Sequence, residues 1–379
     1  MEIQQNKDIT VLVTGATGFL AGHIIQQLLE KNYKVKGTVR QKKSQIILQT
    51  FNNVILKRSL EKKEKYEHLL SLKNASENLE LVEATLENLE IWDTIVKNCT
   101  YIIHVASPCP SEPPKNENDL ILPATQGTEA IMNAAIKNNV KKIVLTSSES
   151  SVESGNLKQN FFTEKDWQTP EKSAAYDKSK YYAEKKAWEI YEKNKSDSLK
   201  NNNNNTNYLQ LTAMLPGFLI GPCLSKNYYA SGEIITKIMK YEIPAIPKLS
   251  LAHVDVRDAA FAHISAMEKN ISNGKRYIIS EGSYWLEDTV AILKEEFQQY
   301  GYKFPSFKIG KILFNIAAIF DKQMQMVKHM EGRMILFDNT LSRKELDVFY
   351  RNHRQTLIES AYDFINKGFV PNKLKNQKK

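Results

Sequence analysis

Two side chains of this sequence, Tyr176 and Lys180, have the types and the spacing that acid–base chemistry requires. They lie in the stretch Tyr-Asp-Lys-Ser-Lys, within a run of strong helix formers from Lys172 to Glu192. Residues four positions apart share one face of a helix, and an ammonium group beside a phenol favours the phenolate. The spacing therefore predicts that the pKa of Tyr176 lies below its ordinary value of about 10. Such a side chain can act as a general acid or base near neutral pH.

A glycine-rich stretch near the start of the chain has the pattern of a phosphate-binding turn. Thr-Gly-Ala-Thr-Gly-Phe-Leu-Ala-Gly, residues 14–22, follows an apolar run and precedes a helical pattern. Gly15 permits a tight turn, Gly18 lets the backbone approach a pyrophosphate, and Ala21 keeps the helix close to the strand. The N-terminus of the following helix would present free N–H groups to the anion. Together these features predict a dinucleotide-binding turn at the start of a βαβ unit.

The elements that would position these groups alternate along the chain. The sequence predicts strands near 9–14, 34–39, 79–83, 101–105, 142–147 and 208–215, and helices near 18–31, 62–73, 88–98, 117–138 and 173–195. Such alternation is typical of an α/β fold with a Rossmann-type, doubly wound parallel sheet. After Gly221 the pattern is irregular and ends in a predicted helix near 354–367, which indicates a smaller C-terminal substrate lobe. We therefore expect a cofactor-binding domain over 1–221, carrying the catalytic residues, and an intertwined substrate-binding lobe over 222–379.

With these motifs, the chain resembles the extended short-chain dehydrogenase/reductase family, in the branch that contains dihydroflavonol 4-reductases and aldehyde/ketone reductases. The resemblance runs from Ile9 to Val370. It includes the two motifs above and the Ser147-Ser148 pair at the end of the strand predicted near 142–147. It also includes the segments His104–Pro108, Leu122–Thr128, Pro216–Pro222, His253–His263 and Gly274–Ile278.

The resemblance implies a catalytic set and a series of cofactor contacts. The catalytic set would be Ser148, Tyr176 and Lys180, with Ser148 preferred to Ser147 because it aligns with the family's serine. Tyr176 would exchange a proton with the substrate oxygen, Ser148 would donate a hydrogen bond to it, and Lys180 would also hold the nicotinamide ribose. The implied cofactor-binding residues are Gly15, Thr17, Gly18, Phe19, Leu20, Arg40, Lys65, Thr85, Leu86, Val105, Ala106, Ser107, Tyr176, Lys180, Pro216, Gly217 and Phe218.

The end of the second predicted strand indicates NADP(H) rather than NAD(H). NAD-binding relatives usually have an acidic residue there for the ribose hydroxyls, but this chain has Arg40 and no Asp or Glu between Lys31 and Leu60. A guanidinium group suits a 2′-phosphate. The family adds a lysine from the next helix, which Lys65 matches unless Lys42 or Lys43 replaces it. Thr85 stands where the family usually has an acid that contacts adenine.

The function that the resemblance implies is an NADPH-dependent carbonyl reductase. Two alternatives share the fold: a nucleotide-sugar epimerase or dehydratase, and a 3β-hydroxysteroid-type dehydrogenase. A non-catalytic NADP(H)-binding regulator is a further alternative, because a fold does not determine a function. The predicted substrate is a small uncharged carbonyl or alcohol, since the second lobe has no arginine cluster for a diphosphate. It offers instead apolar and aromatic residues that we expect near the pocket: Tyr228, Tyr229, Ile234, Ile235, Ile238 and Met239.

The composition of the chain limits which classes of binding partner and which cellular compartment we expect. The 379 residues carry a formal net charge of +9, but the lysines are spread out, so we expect no nucleic-acid partner. Cys99, Cys109 and Cys223 form no paired framework, which indicates a reducing, cytoplasmic location. No metal-ligand spacing is present, and a monomer or homodimer is expected.

The apolar stretch from Ile309 to Phe320 is too short to span a bilayer. We expect a core or lid helix there and no membrane partner, with a contact at a membrane surface as the alternative. Residues 44–62 and the asparagine run 201–205 are predicted to be surface loops.

Overall fold

The computed structural model describes residues 6–40, 63–109, 114–201, 208–226, 229–321, 324–325 and 327–374. The predicted loop at 44–62, residues 202–205 of the asparagine run, Lys42, Lys43 and Tyr228 lie outside the described residues. Lys65 lies in a described helix, but its side chain is also outside what the structure describes.

Fourteen strands and thirteen α-helices occur within the described residues. The strands are β1 Thr10–Val13, β2 Lys34–Val39, β3 Leu79–Glu83, β4 Tyr101–His104, β5 Lys142–Thr146, β6 Phe161–Phe162, β7 Gln210–Pro216, β8 Phe218–Ile220, β9 Ala245–Pro247, β10 Ser250–Asp255, β11 Lys275–Ile279, β12 Gly282–Trp285, β13 Phe307–Ile309 and β14 Leu336–Phe337. The helices are α1 Phe19–Glu30, α2 Lys63–Leu70, α3 Ala75–Asn78, α4 Trp92–Val96, α5 Asn118–Lys137, α6 Ser150–Glu153, α7 Ala175–Asn201, α8 Glu233–Met239, α9 Val256–Glu268, α10 Leu286–Phe297, α11 Lys311–Phe320, α12 Thr340–Leu346 and α13 His353–Asn366.

A seven-stranded parallel sheet in the order β11-β7-β5-β4-β1-β2-β3 forms the centre of the molecule. Successive side chains of a strand point to opposite faces. In β1, Val11 and Val13 pack into the core on the side of α1 and α9. Leu12 packs into the other core, with α4, α5 and α7. Both faces are therefore covered, as an all-parallel sheet requires. The strand order reverses between β1 and β4, and the crevice at the carboxyl ends there is where such sheets bind ligands.

The remaining strands form three small sheets beside this layer: β12-β10-β8, β13-β9 and β14-β6. A separate core joins α8, α10 and α13, with buried residues such as Ile235, Leu293 and Phe364. Within the described residues, no helix is both long enough and apolar enough to cross a membrane.

The predicted fold class is confirmed, and the predicted strands and helices agree closely with the observed ones. The helix predicted near 88–98 is shorter, as α4 begins at Trp92 after a 3-10 turn. The prediction did not foresee that β11 and α9, both after Gly221, return to the large sheet. The division at residue 221 stays a proposal.

Candidate active site

The turn between β1 and α1 provides the geometry that a pyrophosphate needs. Gly15 has a φ of 71°, and a Cβ atom there would lie 3.2 Å from the Cβ of Ala106. The turn is held from β2, because the Gly15 amide donates to Thr38 Oγ1 at 2.9 Å. Helix α1 begins after Gly18 without a side-chain cap. The amides of its first turn therefore have no intrahelical acceptor and face the crevice where an anion would bind.

Thr14 fixes the turn to the end of β4. Its Oγ1 accepts hydrogen bonds from the amides of Val105 at 3.0 Å and Ala106 at 2.9 Å, and it lies 2.8 Å from Nδ1 of His104. Burial lowers the pKa of His104 to about 3, so the imidazole is neutral and its Nδ1 accepts from the Thr14 hydroxyl. The opposite nitrogen, Nε2, meets Thr128 Oγ1 at 3.2 Å. Sequence reasoning assigned no role to Thr14, and used His104 only as part of a motif.

The three predicted catalytic side chains lie together at the carboxyl end of β5. Ser148 follows the strand, and its hydroxyl is near enough to the phenol of Tyr176 to lower the pKa of that phenol. Tyr176 is in the first turn of α7. One helical turn later, Lys180 is buried, and its Nζ donates to the carbonyl oxygen of Thr146 at 3.1 Å. This arrangement can hold a carbonyl oxygen between two hydroxyl donors.

The prediction of a lowered Tyr176 pKa is wrong for this structure. The pKa of the phenol is raised, chiefly by removal from water and further by the nearby Cys109 and Asp177, while the nearby Ser148 hydroxyl lowers it. The physical reason is that burial of the phenol outweighs any effect of Lys180, whose ammonium donates to the Thr146 carbonyl. Burial also lowers the pKa of Lys180, to about 8. Tyr176 is therefore protonated at neutral pH, which is the form of a general acid.

The neighbouring Ser147 takes part in a different hydrogen-bond network. Its hydroxyl donates to Glu184 Oε2 at 2.6 Å. The buried Glu184 carboxylate also accepts from Arg276 Nε at 2.7 Å and from Trp188 Nε1 at 3.0 Å. The network ties β5 and α7 to β11. It also directs the Ser147 hydroxyl away from Tyr176, so the geometry favours Ser148 as the substrate-facing serine.

The remaining predicted cofactor residues lie at the carboxyl ends of neighbouring strands. Thr17 lies in the glycine turn and Phe19 begins α1, whereas the Leu20 side chain is buried in the core, which leaves only its amide for a ligand. Arg40 follows β2 and is exposed. The other residues follow β3, β4 and β7 in turn: Thr85 and Leu86, Val105, Ala106 and Ser107, and Pro216, Gly217 and Phe218.

The segment after β7 is held tightly. The Glu149 amide donates to the Pro216 carbonyl at 3.2 Å, and the Gly217 amide donates to the Ile279 carbonyl at 3.0 Å. A Cβ atom on Gly217 would lie 2.6 Å from the carbonyl oxygen of Ala252. Only glycine fits there, because the backbone at Ala252 fills the space that a side chain would need.

Three of the six residues expected to make the pocket apolar are buried away from it. Ile235, Ile238 and Met239 are buried in the core of the second lobe. They form the inner face of α8, because an amphipathic helix buries its apolar face against the core. Tyr229 stacks on Phe19 with ring centroids 3.6 Å apart. The second lobe therefore contacts the glycine turn directly.

Glu149 is a site residue that sequence reasoning missed. Its Oε2 is buried and has no hydrogen-bond partner among the described residues, and it lies 3.0 Å from where a Cβ of Gly217 would be. Burial raises its pKa well above the ordinary value, and the carboxyls of Glu153 and Asp177 raise it further. Burial and the neighbouring carboxyls therefore favour the neutral form of Glu149, close to the Tyr176 phenol. The signal available was the pair of acids at Glu149 and Glu153, one helical turn apart, directly behind Ser148.

Comparison with known proteins agrees with this geometry. The chain is 29% identical over 377 residues, covering 93% of this chain and 97% of the relative, to the NADPH-dependent methylglyoxal reductase of Saccharomyces cerevisiae. It is 27% identical over 328 residues, covering 82% of this chain and 81% of the relative, to a dihydroflavonol 4-reductase of Dianthus caryophyllus. The solved yeast methylglyoxal/isovaleraldehyde reductase in complex with NADPH superposes with a TM-score of 0.73 at 26% identity, covering 95% of this chain and 99% of that one.

These relatives confirm the resemblance to the extended short-chain dehydrogenase/reductases of the dihydroflavonol reductase branch. The family model of the NAD dependent epimerase/dehydratase family matches residues 11–280. That range runs from β1 to the end of β11 and contains the glycine turn and the Ser148, Tyr176 and Lys180 cluster. The chain belongs to the NAD dependent epimerase/dehydratase family.

Proposed function

We propose that this protein reduces a small uncharged aldehyde or ketone with NADPH. The observation that carries the proposal is the cluster of Ser148, the protonated Tyr176 and the buried Lys180 at the carboxyl end of β5. Relatives that cover almost the whole chain support it, since the yeast relative is named as an NADPH-dependent methylglyoxal reductase. Reduction of a carbonyl needs a proton donor at the oxygen, and a tyrosine with a raised pKa is in the donating form.

The glycine turn fits the diphosphate of the cofactor. Gly15 leaves no room for a side chain against Ala106, and the first amides of α1 are free of intrahelical acceptors. When bound, NADPH supplies the hydride. Tyr176 donates its proton to the substrate oxygen, Ser148 donates a hydrogen bond to the same atom, and Lys180 is placed one turn along the helix to hold the ribose. In the opposite direction the same phenol would accept the proton.

Arg40 is the residue proposed to select NADPH over NADH. It is exposed at the end of β2, and its backbone carbonyl accepts a long hydrogen bond, 3.5 Å, from the Tyr66 hydroxyl. An exposed guanidinium at this position can pair with a 2′-phosphate in two parallel hydrogen bonds. Arg40→Asp is expected to weaken NADPH binding and to bring NADH binding to the same level or above it. Dissociation constants for both cofactors, measured by fluorescence titration, check this, and equal constants in the unmodified protein would contradict the proposal.

The activity itself is tested by NADPH oxidation over aldehydes, ketones, flavanonols and steroids. We expect turnover of small aliphatic and aromatic carbonyls. Conversion of UDP-glucose to UDP-galactose without net cofactor consumption would favour the epimerase alternative. Tight NADPH binding with no turnover of any carbonyl would favour the regulator. Cys99, Cys109 and Cys223 are unpaired thiols, which agrees with the proposal that the protein works in the reducing cytoplasm, as a monomer or homodimer.

A further inference from the structure

The first turn of α1, where the diphosphate of the cofactor would bind, is in contact with the second lobe. Phe19 is the first residue of α1, and its amide is among those that have no intrahelical acceptor. The Phe19 ring lies almost parallel to the ring of Tyr229, with an interplanar angle of 8° and centroids 3.6 Å apart. Phe19 therefore carries both an amide that is free to bind an anion and a ring that contacts the other lobe.

The stack of Phe19 on Tyr229 is held by contacts around Tyr229. Aromatic rings prefer offset or edge-to-face arrangements, at centroid distances of about 4.5–7 Å, to a face-to-face sandwich. The Tyr229 hydroxyl donates to the carbonyl oxygen of Gly221 at 2.8 Å, and its ring meets Phe364 of α13 with centroids 5.7 Å apart. The second lobe thus fixes the Tyr229 ring, and that ring limits where Phe19 can lie.

A second neighbour of the Phe19 ring is fixed to the same segment of chain. The His23 ring meets Phe19 edge-on, at 85° and with centroids 5.7 Å apart, and its Nε2 lies 3.0 Å from the carbonyl oxygen of Pro222. Burial lowers the pKa of His23 to about 4, so the imidazole is neutral and its Nε2 donates this hydrogen bond. Both rings that contact Phe19 are therefore hydrogen-bonded to successive carbonyl groups, those of Gly221 and Pro222.

The glycine turn gains little order from its own residues. Gly15 and Gly18 lack the side chains that restrict a backbone, so ordering such a turn removes more conformational freedom than usual. A binding site that is ordered before the ligand arrives avoids this cost during binding. Thr38 holds the Gly15 end of the turn, whereas α1 begins without a side-chain cap. The stack on Tyr229 holds the end of the turn at Phe19.

We propose that Tyr229 is a positioning residue for NADPH, because it fixes Phe19 and thereby the first amides of α1 for the diphosphate. The inference rests on the proposed function in taking NADPH as the ligand. It makes cofactor binding depend on a residue outside the predicted cofactor-binding domain, 1–221. Leu20 and Ile24 anchor α1 in the core, so removal of the Tyr229 ring should leave the fold intact.

The test compares ligand binding by the full chain and by its Tyr229→Ala and Tyr229→Phe variants, followed by NADPH fluorescence without substrate. Tyr229→Ala should raise the dissociation constant for NADPH by a factor of about 3 to 10, the range that aromatic pairs give. Tyr229→Phe keeps the ring and should retain most of the affinity. Adenosine 2′-monophosphate has no diphosphate, so its dissociation constant, measured by displacement of NADPH, should be the same in all these proteins.

A double variant tests whether Tyr229 acts through Phe19. Phe19→Leu should weaken NADPH binding, and adding Tyr229→Ala should weaken it no further, because two residues that act through one contact do not have additive effects. The matched control is Tyr300→Ala, which removes a ring that packs on Phe297 in the core of the same lobe. It should leave both dissociation constants unchanged. Circular dichroism and melting temperature show that each variant is folded.

Three results overturn the proposal: an unchanged NADPH dissociation constant in Tyr229→Ala, an equal loss of affinity for NADPH and adenosine 2′-monophosphate, or additive effects of Phe19→Leu and Tyr229→Ala. An equal loss would indicate a general disturbance of the protein rather than an effect at the diphosphate. Absence of NADPH binding to the unmodified protein overturns this proposal and the proposed function together. Because no substrate is present, absence of carbonyl turnover counts against the proposed function alone.

Discussion

At the scale of single residues, burial rather than charge pairing decides the state of the candidate active site. Desolvation raises the pKa of Tyr176 and lowers that of Lys180 to about 8. Both shifts have the same origin, because a low-dielectric environment penalises whichever form is charged. The phenol therefore holds a proton to donate.

Replacing Tyr176 by phenylalanine should remove that proton donor. We expect kcat for carbonyl reduction to fall by a factor on the order of 10²–10⁴, while the dissociation constant for NADPH changes little. Steady-state kinetics and cofactor titration measure the two quantities. Tyr181→Phe, one residue after Lys180 on the same helix, is the control and should keep its turnover. Near-full activity of Tyr176→Phe would show that another group donates the proton.

The buried Glu153 makes stability depend on pH in an unusual direction. Its pKa is raised to about 8, chiefly by burial, and its Oε2 has no hydrogen-bond partner among the described residues. The unfolded chain ionises this group near its ordinary value of about 4.3. Between the two values the folded state holds more protons, so folding becomes less favourable as the pH rises.

Glu153→Gln should remove this penalty. The melting temperature of the variant should equal that of the unmodified protein below about pH 4 and exceed it near pH 8, by an amount that corresponds to a few kcal/mol. Thermal denaturation at several pH values measures the difference. Glu171→Gln, at an exposed position, is the control and should show no such trend. A difference between Glu153→Gln and the unmodified protein that stays constant with pH would contradict the argument.

At the scale of elements, the ends of parallel strands are joined by side chains that do no chemistry. Thr14 follows β1 and accepts hydrogen bonds from the first two amides after β4, and Thr38 in β2 accepts a hydrogen bond from the Gly15 amide. Glu184 on α7 connects to Arg276 on β11. The bonds of Thr14 and Thr38 set the positions of loops that would contact the cofactor, whereas the Glu184–Arg276 pair holds α7 against β11.

Thr14→Val keeps the shape of the side chain and removes its hydroxyl. It leaves the amides of Val105 and Ala106 without their acceptor, at a cost of about 1–3 kcal/mol for each buried group. We expect a lower free energy of unfolding and weaker NADPH binding, because the loop after β4 loses its anchor. Thr14→Ser retains the hydroxyl and should lie close to the unmodified protein in both measurements. Equal effects of the two variants would show that the methyl group, not the hydroxyl, matters.

At the scale of the whole molecule, the chain crosses between its two parts more than once. Helix α9 and strand β11 lie after Gly221, yet α9 packs against α1 and β11 pairs with β7. Without them the buried Glu184 would lose Arg276, and an unpaired buried charge costs several kcal/mol.

A chain ending at Gly221 should therefore not fold by itself. We expect residues 1–221 to be aggregated or to lack a cooperative melting transition, and to show no measurable NADPH binding. Denaturation followed by circular dichroism, with the full chain as reference, checks this. Cooperative unfolding of the fragment together with NADPH binding would show that residues 1–221 form an independent domain.

The sequence by itself determined the fold class, the strand and helix positions of the first half, and the candidate chemistry. These depend on local signals: apolar periodicity, the glycines of residues 15 and 18, and the spacing of Tyr176 and Lys180. Neighbours within one turn or one strand are close in any fold, so such signals survive without three-dimensional information.

Only the tertiary structure decided three properties. They are the protonation states of the buried side chains, the division of the residues after Gly221 between the large sheet and the smaller lobe, and the exposure of α11, in which only Phe314 and Ala318 are buried. The pKa of Tyr176 depends on how deeply the phenol is buried, and the return of β11 depends on pairing across many residues of chain. The Glu149 amide donates its hydrogen bond to the carbonyl of Pro216, which lies far along the chain. The apolar composition of α11 is equally compatible with a core and a surface. Burial and long-range contact are properties of the packed chain, and no local pattern of residues contains them.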